Sequence, residues 1–398
     1  LSEQTIALFT RGSLQLQASP PLALYIHLPW CIRKCPYCDF NSHEGPRGGA
    51  QPPFALYVDA LIADLDAQLP KVWGRKLWSI FIGGGTPSLF PPDQIDRLLS
   101  AVFARLGPPT TSEVTLEANP GTFETGRFRD FRQAGVTRLS IGIQTFNDRL
   151  LKALGRVHDS AQAVAAAHCA ATVFDTFNLD LMYGLPGQSL EDAQADIDQA
   201  LAFSPPHLSL YQLTIEPDTA FAQRPPVLPD DDAQADIEEA VRASAADAGL
   251  VRYEISAFAK PGHMSRHNLN YWQFGDYLGI GAGAHAKLSF PSQILRELRV
   301  RQPQTYMEKA LGGDAILQSK PIAAADLPFE FALNALRLTA GVPLAWYAER
   351  CGRPLQDLTT VMARARGQGL LEDDTEHLRA TPTGLRFLND LQQMFLSG

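Results

Sequence analysis

Five cysteines among 398 residues are too few, and odd in number, for a disulfide framework. A reducing compartment, the cytoplasm, is therefore the expected location. No apolar run reaches the ~20 residues needed to cross a bilayer, and no charged, apolar and cleavable start resembles a signal peptide. Positive charge is also short: 34 Lys and Arg face 43 Asp and Glu, a formal net charge of −9. That balance speaks against broad electrostatic binding to nucleic acid or acidic lipid, while leaving room for a local basic patch. Internal repeats and low-complexity tracts are missing. The first residue is Leu1, so a short native start is expected to be absent. What remains is a globular chain, 45% hydrophobic, long enough for two or three domains or for one α/β barrel with additions.

From Leu22 onward, short β-rich runs alternate with amphipathic ones. Strands are expected at Leu24–His27, Ser79–Ile82, Glu113–Glu117, Arg138–Ile143, Asn178–Met182 and Leu208–Leu213. Helices are expected between them at Ala55–Gln68, Asp93–Leu106, Thr125–Ala134, Ala161–Val173 and Leu190–Phe203. Such alternation implies right-handed crossovers and a parallel sheet, either a partial barrel or a doubly wound open sheet. Ligands collect at the carboxyl ends of the strands in both. A rigid Pro-rich loop, Arg224–Asp232, should end in a helix N-cap, followed by a helix Ala233–Ala248 and a strand Tyr253–Ala257. The segment from Arg266 to Lys287 fits no simple period. Beyond about Leu311, helices at Pro328–Leu338, Leu344–Arg350 and Leu355–Gly367 should precede a hairpin, Gly369–Asp374 with Leu378–Thr381, and a helix Pro382–Phe395. Helices followed by a hairpin suggest a small winged-helix-like domain; its acidic setting makes it a lid or docking surface rather than a DNA reader. The expected divisions are 22–235, 236–310 and 311–398.

Three of the cysteines, Cys31, Cys35 and Cys38, stand in C-x3-C-x2-C spacing directly after the first strand. Thiolates hold iron–sulfur clusters and zinc alike. Zinc usually completes a tetrahedron, and the nearest further donor, His43, has no paired ligand beside it. Three thiolates on a four-iron cluster leave one iron open to a small molecule. Cys169 and Cys351 lie far away and read as small core residues. The other motifs fall at the same strand ends: Gly83-Gly84-Gly85-Thr86-Pro87, Glu117-Ala118-Asn119-Pro120, Gln144 and Asp180. Glycines there admit close backbone approach to a ligand. Each rim polar residue taken singly also reads as ordinary surface chemistry.

The cysteine run, with Tyr37 before its last member, resembles the radical S-adenosylmethionine (SAM) superfamily. The resemblance implies a [4Fe–4S] cluster on Cys31, Cys35 and Cys38, with SAM chelating the fourth iron and a single electron cleaving it to a deoxyadenosyl radical. More narrowly, residues 22–290 resemble the family of oxygen-independent coproporphyrinogen III oxidase, through Tyr25-Ile26-His27-Leu28-Pro29, Gly83–Pro87, Glu117–Pro120, Ser140–Gln144, Gly155-Arg156 and Asn178–Pro186. That match implies a partial TIM-like (β/α)6 barrel, with Tyr25, Gly84, Gly85, Thr86, Glu117, Gln144, Arg156 and Asp180 at the SAM site. His27 is expected to face the same site.

Three features lean towards the haem-chaperone branch of that family. Phe40 stands where the oxidase carries a further cysteine, and only 24 residues precede Tyr25, where the oxidase has a longer extension. His267-Asn268-Leu269-Asn270-Tyr271-Trp272 matches the H-N-x-x-Y-W hallmark of the branch. The resemblance implies haem as a ligand, with His267 as candidate axial ligand, and apo-haemoproteins as partners, respiratory ones above all. Peripheral membrane contact and a homodimer belong to the same expectation; nucleic acid does not. The plainer reading of the motif is a core of Tyr271, Trp272, Phe274 and Tyr277 with His267 capping it by hydrogen bonds. His285, after the alternating glycines of Gly279–Gly283, is a second haem-ligand candidate; these glycines lack the spacing of a dinucleotide site. No catalytic residue is assigned. The rival readings are the oxidase itself and a radical SAM enzyme with another substrate.

Overall fold

A computed structural model of the chain describes residues 14–46, 50–121 and 125–396. Six strands run through its first half: β1 (Leu22–Leu28), β2 (Leu77–Gly84), β3 (Val114–Ala118), β4 (Arg138–Gln144), β5 (Thr176–Tyr183) and β6 (His207–Gln212). Each pairs in parallel with the next. The helices α1 (Phe54–Gln68), α2 (Pro92–Leu106), α3 (Phe128–Gln133), α4 (Ser160–Val173) and α5 (Leu190–Leu201) supply the crossovers. The expected strands and helices are present, with α3 starting later than its sequence pattern suggests.

Strand side chains alternate between two faces, and here the faces differ in chemistry. One carries Leu24, Ile26, Ile80, Ile82, Leu116, Leu139, Ile141, Leu179 and Leu208, all buried against the helices in one core with Tyr57, Leu98, Ala166 and Ile197. Burial there supplies the main driving force for the barrel. The opposite face carries Tyr25, His27, Phe81, Thr115, Glu117, Ser140, Asn178, Asp180, His207 and Ser209, in register across neighbouring strands. These fill the interior through mutual hydrogen bonds: Asn178 Nδ2 donates to Ser140 Oγ at 2.8 Å, and His207 bridges Asn178 Oδ1 (2.7 Å) and the Tyr253 hydroxyl (2.9 Å).

The helix α6 (Asp231–Asp247) follows the Pro-rich loop, and Asp230 caps it by accepting from Ala233 N, as expected. The strand expected at Tyr253–Ala257 is instead two, β7 (Val251–Arg252) and β8 (Ala257–Ala259). Glu254 breaks it: its carboxylate turns to accept from Ser256 N and Arg337, and its backbone bridges to Leu338. The segment that fits no simple period contains α7 (Arg266–Trp272) and then β9 (Asp276–Ile280), a seventh parallel strand on the free side of β1. The chain continues through β10 (His285–Phe290), β11 (Gln293–Arg299), α8 (Pro303–Leu311) and β12 (Ile316–Pro321). Among the described residues, one twelve-stranded sheet runs β12-β11-β10-β9-β1-β2-β3-β4-β5-β6-β8-β7. Its two ends do not pair, so the barrel is partial.

The C-terminal domain is winged-helix-like. Helices Leu327–Ala335, Ala345–Cys351 and Gln356–Gly367 enclose a second core with Phe331, Tyr347, Cys351, Leu358 and Leu391. The expected hairpin narrows to a bridge between Leu371 and Ala380, because His377–Leu378 pairs with Val342–Pro343 instead. The helix expected at Pro382–Phe395 breaks at Phe387, whose backbone (φ −108, ψ 43) leaves the helical region. Cys351 is buried, and Cys169 is partly buried against the main core.

Candidate functional site

The cysteine loop leaves the carboxyl end of β1. Its base is zipped by two short parallel strands, Trp30–Cys31 and His43–Glu44. Inside it, Cys38 N donates to Cys35 O at 3.1 Å, turning the chain so that the three thiols share one loop. Each thiol has a polar neighbour. Thr86 Oγ1 donates to Cys31 Sγ (3.5 Å), Arg156 Nη1 to Cys35 Sγ (3.6 Å), and Ser42 Oγ lies 3.6 Å from Cys38 Sγ. Burial pushes the Cys31 thiol up, and the Thr86 hydrogen bond opposes that shift. Three half-buried sulfurs met by donors suit a thiolate-bound cluster, since hydrogen bonds to the sulfurs tune such centres.

A polar chain links two of these sulfurs across the barrel mouth. From Cys35 it passes to Arg156, whose Nη2 donates to Asn119 Oδ1 at 2.7 Å. Asn119 Nδ2 donates to Thr86 Oγ1 at 3.0 Å, and Thr86 returns to Cys31. Arg156 also donates to Gly142 O at 2.9 Å. Gln144, at the end of β4, has φ of 70°, a conformation uncommon for a side-chain-bearing residue and one that marks a local constraint.

Two carboxylates face the interior below this chain. Glu117 Oε2 accepts from Gly84 N at 3.0 Å, while Asp180 accepts from Ser140 Oγ (3.0 Å) and Asn178 Nδ2 (2.8 Å). Burial, and then the charge of Asp180, pushes Glu117 up to about 8. Burial also raises Asp180, against the pull of its hydrogen bonds and of Arg138. Two carboxyl groups held this way are matched by a ligand that brings positive charge.

His27 and the glycine run complete the wall. A carbonyl only accepts, so His27 Nε2 carries the proton it gives to Asn41 O (3.0 Å), and Nδ1 accepts from the Tyr25 hydroxyl (3.1 Å). Burial lowers His27 to about 4 and keeps the ring neutral. Gly84, with φ of 118°, presses on that ring: a Cβ would lie 2.6 Å from it. The sequence-expected residues Tyr25, Gly84, Gly85, Thr86, Glu117, Gln144, Arg156 and Asp180 therefore sit on the barrel's inner face and at its carboxyl-end rim, together with the cysteine loop.

Two asparagines in this assembly carry weight that sequence reasoning did not give them. Asn119 connects Arg156 to Thr86. Asn41 ties the cysteine loop to the β9–β10 turn, donating to Ala282 O and Arg301 O at 2.9 Å each. Asn119 lies inside the Glu117–Pro120 run and Asn41 three residues after Cys38, which was the signal available.

His267 lies elsewhere. Its helix caps the opposite, amino end of the barrel, where the N–H groups of Arg266 and His267 donate to the Glu113 carboxylate at 2.9 Å each, a favourable pairing at a helix start. The imidazole stacks on Phe81 (centroids 4.9 Å apart), contacts Ser79 Oγ at 3.0 Å, and is 2% exposed. Nε2 is buried without a partner, and burial holds the ring neutral, at about 3. Tyr271 packs on Tyr277, Trp272 lies under Arg337, and Phe274 lies under Lys287.

Residues 25–200 match the model of the radical SAM superfamily, and residues 322–387 that of the HemN C-terminal domain. A protein of Escherichia coli named heme chaperone HemW is 47% identical over 95% of this chain and 99% of its own length. The chain belongs to the HemW family. Further HemW relatives are 46% identical in Haemophilus influenzae, over 95% of this chain and 98% of theirs, and 34% identical in Bacillus subtilis, over 94% and 98%. The solved structure of E. coli coproporphyrinogen III oxidase, HemN, superposes with a TM-score of 0.80 over 99% of this chain and 93% of that one. At 22% identity it shares the fold.

In this HemW-family chain the carboxylate pair yields a pH-dependent prediction. Glu117 titrates near 8 when folded and near the ordinary 4.5 when unfolded. A raised carboxyl pKa means the unfolded chain ionises first, so stability falls as pH rises between the two values. Glu117→Gln keeps an acceptor for Gly84 N and removes that loss. Melting curves without ligand should show the variant equal to wild type near pH 4.5 and increasingly more stable towards pH 8, by on the order of 1 kcal/mol per pH unit. A gap that does not change with pH would rule out a titrating Glu117.

Proposed function

We propose that this protein is a haem chaperone, binding haem and delivering it to apo-haemoproteins, with a [4Fe–4S] cluster and SAM as resident cofactors. The observation that carries the reading is the end-to-end identity with relatives named heme chaperones, which spans the barrel, the H-N-x-x-Y-W segment and the C-terminal domain. Cys31, Cys35 and Cys38 would hold the cluster, which when reduced would supply a single electron to SAM. Arg156 would pair with the SAM carboxylate through its planar fork. Glu117 and Asp180 would answer the positive charge of the sulfonium and amino groups. Tyr25, Gly84, Gly85, Thr86 and Gln144 would line the same site, with the Asn119 bridge holding Arg156 and Thr86 in place.

Recipients would include respiratory haemoproteins, met in the cytoplasm or at the membrane face, and the carrier would work as a single chain or a homodimer. No helix among the described residues is long and apolar enough to cross a membrane. The rival reading, propionate decarboxylation of coproporphyrinogen III, draws on a fold shared with the oxidase. One experiment separates them: the anaerobically reconstituted chain is given SAM, reductant and coproporphyrinogen III, while a parallel sample is titrated with ferric haem. The expected result is saturable haem binding and no decarboxylated porphyrinogen. Decarboxylated product would overturn the chaperone reading, as would a failure to bind haem.

A further inference from the structure

The wall beside the cysteine loop carries groups that neither the cluster nor the SAM site uses. His285 opens β10 and is exposed, and among the described residues no hydrogen bond engages its ring. His43 closes the cysteine loop, half-buried. Arg301 joins them: its backbone contacts the His43 ring, and its charge acts on His285. Asn41 fixes the group, contacting His43 Nε2 at 3.2 Å through Oδ1 and holding Ala282 O and Arg301 O through Nδ2. Gly283 has to be glycine here, because a Cβ would lie 2.5 Å from Asn41 Nδ2. On the loop side stand Lys34, whose Nζ donates to Phe40 O at 3.0 Å and whose charge reaches His43, and Phe40, 58% exposed. Two acids border this face: Glu44 accepts from Lys34 N at 3.3 Å, and Asp39 directly precedes Phe40.

We propose that this face is the haem site, with His285 as axial ligand, Phe40 against the porphyrin, and Arg301 and Lys34 meeting the propionates. The proposal rests on the haem-carrier reading and specifies where the cargo sits. A neutral imidazole ligates haem iron, and the His285 ring stands exposed at the start of β10. An apolar aromatic suits the macrocycle, and guanidinium suits carboxylate. His267 offers the same donor, but a porphyrin meets it only after α7 leaves the barrel and gives up Glu113, Phe81 and Ser79. His285 needs no such opening. A cargo that must be handed on is better held on an open face than behind a helix.

The test is titration of ferric haem into the cluster-loaded chain, followed in the Soret band after subtraction of the cluster and by electron paramagnetic resonance of the haem iron. His285→Ala should lose the histidine-ligated signal and bind haem about 10–100-fold more weakly, the range seen when a metal site's support is removed. Free imidazole should restore the ligated signal. Arg301→Glu should weaken binding without changing the ligated spectrum, and His267→Ala should keep that spectrum. An unchanged His285→Ala spectrum, or a ligated signal lost only in His267→Ala, overturns the assignment while the carrier reading stands. No haem binding by the wild type overturns the carrier reading beneath it.

Discussion

Replacing Cys38 by serine should leave the anaerobically reconstituted chain without the visible absorbance of an iron–sulfur cluster and with most of its iron lost. Serine keeps the size of the side chain but offers a harder, more weakly binding oxygen, and iron–sulfur clusters select thiolate. Two remaining sulfurs cannot hold four irons. The barrel should be nearly indifferent, because Cys38 is half-buried on a loop and belongs to neither hydrophobic core. Far-ultraviolet circular dichroism and melting of the metal-free chain should therefore match wild type. Cys351→Ser is the control with the opposite pattern: full cluster, lower stability, since that thiol is buried among Phe331, Tyr347 and Leu358. Full absorbance in Cys38→Ser would refute the cluster assignment.

The contrast between those two cysteines explains what sequence conveys about this protein. The trio is legible because its chemistry is local: the spacing alone brings three sulfurs into one loop. Strands β1 to β6 are legible because Leu, Ile and Val recur along their outer face. What the sequence hides is tertiary. β9 begins with Asp276 and contains Gly279, so it looks like a loop until Lys287 and Arg75 neutralise the aspartate and His285 O packs where a side chain would stand. The Glu254 break in the expected Tyr253–Ala257 strand depends on Arg337, over eighty residues away. Asn41 and Asn119 look like loop polars until their partners are known. The H-N-x-x-Y-W run is recognisable as a motif, yet only the fold reveals that its histidine and the cysteine loop lie at opposite ends of the barrel.

That separation bears on how the two halves of the molecule communicate. β9 touches both. Its start lies beside α7, where Asn270 Nδ2 donates to Asp276 O at 2.7 Å. Its far end runs into the Gly281–Gly283 turn, where Gly281 packs on the His27 backbone and Ala282 accepts from Asn41. Tyr57 spans the same junction, donating to His27 O (3.0 Å) and accepting from Ala282 N (2.8 Å). A shift of β9 along β1 would therefore reach the cysteine loop through Asn41 and His27 together.

Asp276→Ala should accordingly be the most destabilising of the single substitutions considered. Asp276 is fully buried and accepts from Lys287 Nζ (3.0 Å), Arg75 Nη1 (2.8 Å), Ser289 N (2.8 Å) and Ser289 Oγ (2.7 Å). Burial opposes its ionisation, but Lys287, Arg75 and Ser289 more than offset that and hold the carboxyl below its usual range. A lowered carboxyl pKa contributes stability at pH above the unfolded value of 3.8, lost as pH falls through the folded one. Removing the carboxylate strands the Lys287 ammonium, 2% exposed, and should cost about 3–5 kcal/mol near neutral pH by chemical denaturation. The penalty should shrink in acid, where wild type loses the same charge. Asp276→Leu combined with Lys287→Met removes both charges at similar volume and should recover a large part of the loss, because an apolar pair avoids the desolvation that the ion pair offsets. If the double variant is as unstable as Asp276→Ala, the aspartate acts through Arg75 and the Ser289 backbone, and the strand's anchorage to β1 rests on those bonds rather than on Lys287.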